Sequence, residues 1–366
     1  RSFLDQRGVN YRPFFISNKI LILGGSESLM NDLSTRPEVA AITANHLFQL
    51  QEPEITPEAT AATTALGDNL KFVRADGAWS SGVTGEGIVV AGNDTGIDWR
   101  HPAIIRHYRG CLNPPDCTSV DHNYNWWDAT GTYPNVPADG NGHGTHTTGT
   151  MIGDDGQGNR TGIAPGARTV QCKSMSDGGS GSEATFSECF QWYLAPWDLN
   201  GKNPRPELAP DVVNNSWGYW DGNAPQFRDE IAALQAAGIL VEASAGNEGD
   251  DFGCRSLRSP GDYAEVMTTG SVAFASLPFP GNLAAHSSRG PSDLDGGYFP
   301  DVVAPGVSVW STVPGGGYGA WTGTSMAGPH VSGLVALMWS ANPQLRGQVE
   351  TTMELIRNTA APLTGE

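Results

Sequence analysis

Apolar residues along the chain fall into short runs, and the runs alternate between two periods. Ile88-Val-Val-Ala-Gly92 is a continuous apolar stretch of the kind a strand buried on both faces presents, and Ala167 to Met175 is another. Ser182 to Leu194 spaces its apolar side chains as an amphipathic helix does, and Asp211-Val-Val-Asn214 follows as a strand. Phe227 to Ala237 predicts a helix, Ile239 to Ala243 a strand, and Met267 to Val272 a further strand. Near the carboxyl end, Gly323-Thr-Ser-Met-Ala-Gly-Pro-His330 opens an apolar run of helical period from Val331 to Trp339, with Pro329 expected in its first turn. Strands alternating with helices from Lys71 onward predict an α/β fold: three layers with a central, mostly parallel sheet covered on both faces. Such sheets carry their active sites at the carboxyl ends of strands. No internal repeat interrupts the pattern.

The first 50 residues have a different rhythm. Tyr11 to Leu23 reads as one strand or two strand pieces stopped by Gly24-Gly25, Ser28 to Leu33 as a short helix, and Val39 to Thr43 and Leu47 to Leu50 as extended chain. A unit of that size buries too little to be stable without a partner surface. Gln51 to Gly67 is rich in Glu, Pro, Thr and Ala with no apolar period, the pattern of an exposed linker. The expected division is therefore a small α+β unit over 1–50, a linker over 51–70 and a large domain over 71–366.

Composition narrows the function. The chain has 366 residues, with Asp+Glu 39 against Lys+Arg 21 for a net charge of −18. Nucleic acid is a poor partner for so acidic a chain, because phosphate binding needs a basic face. No apolar run reaches about 18 residues, so no membrane span is expected. No signal peptide is visible, and Arg1 opens a segment already inside a folded unit, so the chain reads as processed or truncated. The five cysteines, at 111, 117, 172, 189 and 254, lack zinc spacing. Cys111 and Cys117 bracket a Pro-containing loop and are expected to pair. Cys172 in an apolar strand reads as a buried free thiol, while Cys189 and Cys254 remain able to pair across the fold; spacing does not settle the connectivity.

Three clusters carry candidate chemistry. Asn93-Asp94-Thr95-Gly96-Ile97-Asp98 lies at the carboxyl end of the Ile88 strand, and Asn141-Gly142-His143-Gly144-Thr145-His146 opens a helix. Ser325 is the third, in the small-residue turn before the last apolar helix. Singly, each is ordinary: an aspartate cap, a loop histidine, a serine N-cap. In the order Asp, His, Ser they supply an orienting carboxylate, a general base and a nucleophile. Glycines on both sides of His143 let the backbone pack closely and leave the ring facing the nucleophile.

On these stretches, together with Asn214-Asn-Ser-Trp-Gly218, Ser244-Ala-Gly-Asn-Glu-Gly249 and Ala304-Pro-Gly306, the chain resembles the subtilase family of serine proteases. Within that family it is most similar to enzymes of the bacillopeptidase F type, also through Asp121-His-Asn-Tyr-Asn-Trp-Trp-Asp128. The resemblance covers about residue 71 to the end. It implies an endopeptidase in which Asp94 orients His143, His143 takes the proton of Ser325, and Asn247 donates its amide to the oxyanion together with the Ser325 N–H. It implies that Gly179, Ser180 and Gly181 form an edge strand for extended substrate. Ser216, Trp217 and Gly218, with Ser244, Ala245 and Gly246, would wall the pocket for the residue preceding the cleaved bond.

Counting back from Pro260 and Tyr263 puts Arg258 at the base of that pocket, where a guanidinium would favour Glu or Asp. Glu52, Glu54 and Glu58 are then candidate self-cleavage points. Residues 1–50 resemble the carboxyl-terminal part of a subtilase propeptide, implying an inhibitory segment of the same chain. The rest of that unit would precede Arg1, and the family's closing segment would follow Glu366. The resemblance also implies secretion, a monomer acting on polypeptides, and structural calcium, for which Asp154 and Asp155 in Asp154-Asp155-Gly-Gln-Gly-Asn159 are candidates, with Asp128 and Asp139 bracketing a second oxygen-rich loop. Catalytically silent relatives lose a triad member or the oxyanion asparagine; all four are present here. An α/β-hydrolase is excluded by the order of the triad, and no dinucleotide fingerprint occurs.

Overall fold

The computed structural model describes residues 1–56, 67–219, 222–273 and 282–363. It begins with α1 (Ser2–Gln6), an antiparallel hairpin of β1 (Asn10–Phe14) and β2 (Lys19–Leu23), and α2 (Glu27–Ser34). The sequence-expected strand pair and helix are thus present, with Ser26 capping α2 by accepting the Leu29 N–H. Val39 to Thr43 joins no ladder. The small core of this unit is Leu4, Leu29 and Leu33, and its face toward the rest of the chain combines the buried Ile16 with polar contacts. Gln191 Oε1 accepts the Phe15 N–H, and the buried Glu230 carboxylate takes both Lys19 Nζ (2.7 Å) and Ser17 Oγ (2.8 Å).

Two short strands follow, β3 (Leu47–Gln49) and β4 (Glu54–Thr56), so the stretch expected to be a linker holds a paired strand; Glu58 lies outside the described residues. The large body opens with α3 (Asp68–Phe72), α4 (Ala75–Ser80), β5 (Val89–Asp94), β6 (Trp126–Asp128), α5 (His143–Ile152) and β7 (Arg168–Lys173). Next come β8 (Ser180–Ser182), α6 (Glu183–Leu194), β9 (Val212–Asn215), α7 (Arg228–Ala236), β10 (Leu240–Ser244) and α8 (Gly249–Phe252). The chain continues through β11 (Met267–Ala273), β12 (Asn282–Leu283), β13 (Val302–Pro305), β14 (Val309–Val313) and β15 (Gly317–Thr322) to α9 (Thr324–Ala341) and α10 (Val349–Thr359).

An eight-stranded sheet runs β12-β11-β10-β9-β5-β7-β6, with β13 also paired to β11; every pairing is parallel except that of β12. Alternation along each strand divides the core. Val90, Val212 and Leu240 face Met151, Val331, Val335 and Trp339 of α5 and α9, while Ala91, Val213 and Val241 face Phe186, Phe190, Tyr193 and Ile231 of α6 and α7. That is the three-layer α/β arrangement the alternating pattern predicts. Among the described residues no helix is long and apolar enough to cross a membrane.

Cysteine pairing departs from expectation in part. Cys111 and Cys117 are bridged, as expected. Cys172 is not a free thiol: it is bridged to Cys189, and Cys254 is exposed and free. The reason is the layer structure. Cys172 on β7 faces α6, which brings its Cα to 5.6 Å from that of Cys189. Strand alternation fixed which face Cys172 points to, but not which helix lay over it.

Candidate active site

Asp94 ends β5 with its side chain fully buried. The Thr95 N–H (2.7 Å) donates to Oδ1 and the Thr147 hydroxyl (3.3 Å) to Oδ2, which holds the carboxylate in one plane. His143 is the first residue of α5. Gly142 before it sits at φ 102°, and a Cβ on Gly144 would stand 2.2 Å from the Gly96 carbonyl oxygen, so both flanking glycines are required by geometry. The result is a contact of His143 Nδ1 with Asp94 Oδ1 at 2.8 Å and Oδ2 at 3.0 Å, with both side chains buried. Burial pushes the imidazole's pKa down, but the Asp94 charge and hydrogen bond push it up further, so it ends above the ordinary 6.5. His146, one helical turn along, behaves oppositely: buried, stacked on Trp321 and hydrogen-bonded to the Val309 and Gly319 carbonyls, it drops to about 3 and stays neutral.

Ser325 is the second residue of α9. Pro329 therefore lies in the helix's second turn, not the first as the sequence suggested, and the Ser325 carbonyl loses the N–H that would have met it four residues on. That carbonyl instead accepts the Ser216 hydroxyl at 2.9 Å, while the Ser325 hydroxyl donates to the Ser216 carbonyl at 3.0 Å. The nucleophile candidate is thus tied to the chain end of β9, and His143 Nε2 is buried without a partner. Asn247 Oδ1 accepts from both the backbone N–H (2.8 Å) and hydroxyl (2.9 Å) of Thr324, which fixes the amide with its NH2 as the unused donor.

A cavity beside Ser325 is lined by Trp217, Gly218, Ser244, Gly246, Asn247 and Arg258. Of the remaining expected wall residues, Ser216 is spent on Ser325, and the Ala245 carbonyl accepts the Arg258 N–H at 3.0 Å. Arg258 lines the cavity and shares it with Glu248, whose Oε2 lies 3.1 Å from Nε. The sequence motif alone assigns Glu248 no role; its adjacency to Asn247 is the one signal the sequence offers. Thr324 and Ser216 were likewise missed as positioning partners.

The cleft holds the chain's own residues 47–56. Strand β3 pairs antiparallel with β8, Phe48 opposite Gly181 and Gln49 opposite Ser180, and the Leu50 N–H donates to the Gly179 carbonyl at 2.8 Å. The Phe48 ring is buried among Phe186, Trp217, Tyr219 and Phe227. Past Ser325, β4 pairs with β15, Glu54 opposite Thr322. Gln51 lines the cavity between these two ladders.

The calcium candidates are engaged within their own loops. Asp154 takes the Gly156 N–H on Oδ1 and Arg160 on Oδ2, and Asp155 takes the Gln157 and Asn159 N–H groups on Oδ1 and the Asn159 amide on Oδ2. Asp128 and Asp139 are likewise spent on neighbouring N–H and hydroxyl donors. Among the described residues no group of three or more His, Cys, Asp or Glu gathers as a metal site.

An aspartate at a sheet's carboxyl edge, a histidine at one buried helix start and a serine at another, within three α/β layers, define the class of subtilisin-like serine proteases. Residues 85–366 match the family model of Peptidase_S8, the subtilase family, and the chain belongs to that family. It is 40% identical over 362 residues to Bacillopeptidase F of Bacillus subtilis (strain 168), covering 96% of this chain but only 24% of that protein's length. The Major intracellular serine protease of the same organism is 32% identical over 84% of this chain and 86% of its own, and its Subtilisin E is 30% identical over 91% and 75%.

Proposed function

We propose that the chain is a serine endopeptidase made as a precursor, which cleaves peptide bonds through an acyl-enzyme and is held in check by its own first 50 residues. The Ser325 hydroxyl turns from the Ser216 carbonyl to His143 Nε2 and attacks the peptide carbonyl carbon. Its proton passes to Nε2, and Asp94 stabilises the imidazolium that forms. The Asn247 amide and the Ser325 backbone N–H, at the positive end of α9, receive the oxyanion. The C–N bond then breaks as His143 returns the proton to the leaving amine; water, activated by the same ring, releases the acid. Gly179, Ser180 and Gly181 hold substrate as an added strand, and Trp217, Gly218, Ser244, Gly246 and Arg258 receive the side chain before the cleaved bond.

The observation that carries this reading is the buried His143–Asp94 pair with a free Nε2 beside a cleft already filled by an extended segment. Two disulfides among the described residues favour an oxidising compartment and hence secretion. The reading includes a monomer acting on polypeptides. Calcium carries no step in it.

Labelling by a fluorophosphonate, read by intact mass, tests the reading. A single adduct that vanishes in Ser325→Ala is expected once the N-terminal segment has been removed by mild proteolysis. An unlabelled protein with an emptied cleft would overturn it.

A further inference from the structure

The cavity beside Ser325 has a charge-balanced floor. Arg258 and Glu248 stand 3.1 Å apart with side chains only 13% and 12% exposed. Both are fixed. A Cβ on Gly218 would meet Arg258 Cβ at 2.6 Å, and one on Gly246 would meet both Arg258 Cγ and Glu248 Oε2 at 2.7 Å. Ser288 Oγ accepts the Glu248 N–H and donates to its Oε2, each at 3.0 Å. Yet the floor is not satisfied. The close contact of Arg258 Nε with Glu248 is too poorly directed to be a hydrogen bond, and both that Nε and Ser244 Oγ are buried without a partner. Unused donors therefore sit beside a carboxylate in one pocket.

An entering carboxylate would gain Arg258 only by facing Glu248, and separating a buried pair costs more than the new contact returns. An apolar side chain would leave both groups sealed from water and unpaired. A carboxamide meets both: its oxygen accepts from the guanidinium or Ser244, and its NH2 donates to Glu248. The segment in the cleft brings such a side chain to the cavity wall, where Arg258 Nε and Ser244 Oγ still await a partner. With Phe48 in the aromatic box and the Leu50 N–H on Gly179, the residue brought to the cavity and Ser325 is Gln51, followed by Glu52, whose carboxylate accepts from the Asn141 amide at 3.2 Å.

We propose that the Glu248–Arg258 pair selects a carboxamide, glutamine above all, before the cleaved bond, and that the first such bond cut is Gln51–Glu52 of this chain. The inference rests on the protease reading above. Self-processing of the full chain, followed by intact mass, is expected to give a new amino terminus at Glu52. The processed enzyme is then assayed on peptides of the form Phe-Gln-Leu-X, with X varied. A kcat/KM for Gln about tenfold or more above Glu, Phe and Ala is expected, and Glu248→Gln, which releases the guanidinium, reverses the Gln:Glu order. The wild-type profile alone decides if the variant fails to fold. Active enzyme that favours Glu or Phe, or a Gln:Glu ratio unmoved in a folded Glu248→Gln variant, overturns this inference and leaves the protease reading standing. Protein that neither cleaves any peptide nor takes the fluorophosphonate overturns both.

Discussion

Glu242 lies at the centre of β10, fully buried beneath the helix that carries Ser325; a Cβ on Gly328 would stand 2.3 Å from its Oε1. Its oxygens make no hydrogen bond of good geometry, and burial drives its pKa up from 4.5 to about 8 against a small downward pull from Thr269 and Asn215. The folded protein therefore binds a proton here that the unfolded chain releases. A group shifted upward contributes stability that is whole below the unfolded value of 4.5 and lost as pH rises through the folded value of about 8. Each pH unit in that window is worth about 1.4 kcal/mol, so raising the pH from about 5 to 7.5 removes about 3 kcal/mol through this one carboxyl. Glu242→Gln keeps the shape and stays neutral. Urea unfolding of Glu242→Gln and its parent, both in a Ser325→Ala background to prevent self-digestion, measures the difference. The variant is expected to gain about 3 kcal/mol on the parent across that interval. Parallel curves at both pH values would mean that Glu242 ionises in the folded state at no penalty, and the reasoning fails.

With His143 raised above 6.5, kcat/KM is expected to fall as pH drops through that raised value, and Asp94→Asn to lower both the midpoint and, by about 10⁴-fold, kcat; a pH–rate profile of each checks this. Asp154→Asn and Asp155→Asn are expected to lower Tm by the same amount with and without calcium, since their carboxylates serve N–H donors; a calcium-dependent difference in thermal melts would refute it. The Cys172→Ser, Cys189→Ser double variant is expected to lose about 3 kcal/mol in urea unfolding, from a loop with sequence separation 17.

Much of the site was legible because its parts are short and local. Asp94, His143 and Ser325 each stand in a run rich in small residues: Gly142 takes the left-handed turn before His143, Gly144 permits the approach to Gly96, and Gly328 makes room for Glu242. The sheet was legible because its strands are apolar on both faces. What escaped reading depends on contacts between distant segments. Glu248 and Arg258 meet only because the loop after β10 folds back, and Cys172 finds Cys189 only once α6 lies on the sheet. Strand β4 has no apolar period to announce it; it is ordered by the ladder that β15 offers.

That ladder has a further consequence. Residues 47–56 reach the cleft without leaving the polypeptide, so their occupancy is governed by effective concentration rather than by affinity. Dilution cannot empty the cleft, and the proposed first cut is expected to proceed at a rate independent of how many copies of the protein are present. Once the segment is severed, the same contacts become a bimolecular equilibrium that weakens with every dilution. Under the proposed self-inhibition, a molecule spreading from its source would thus be quiet where it is crowded and active where it is sparse.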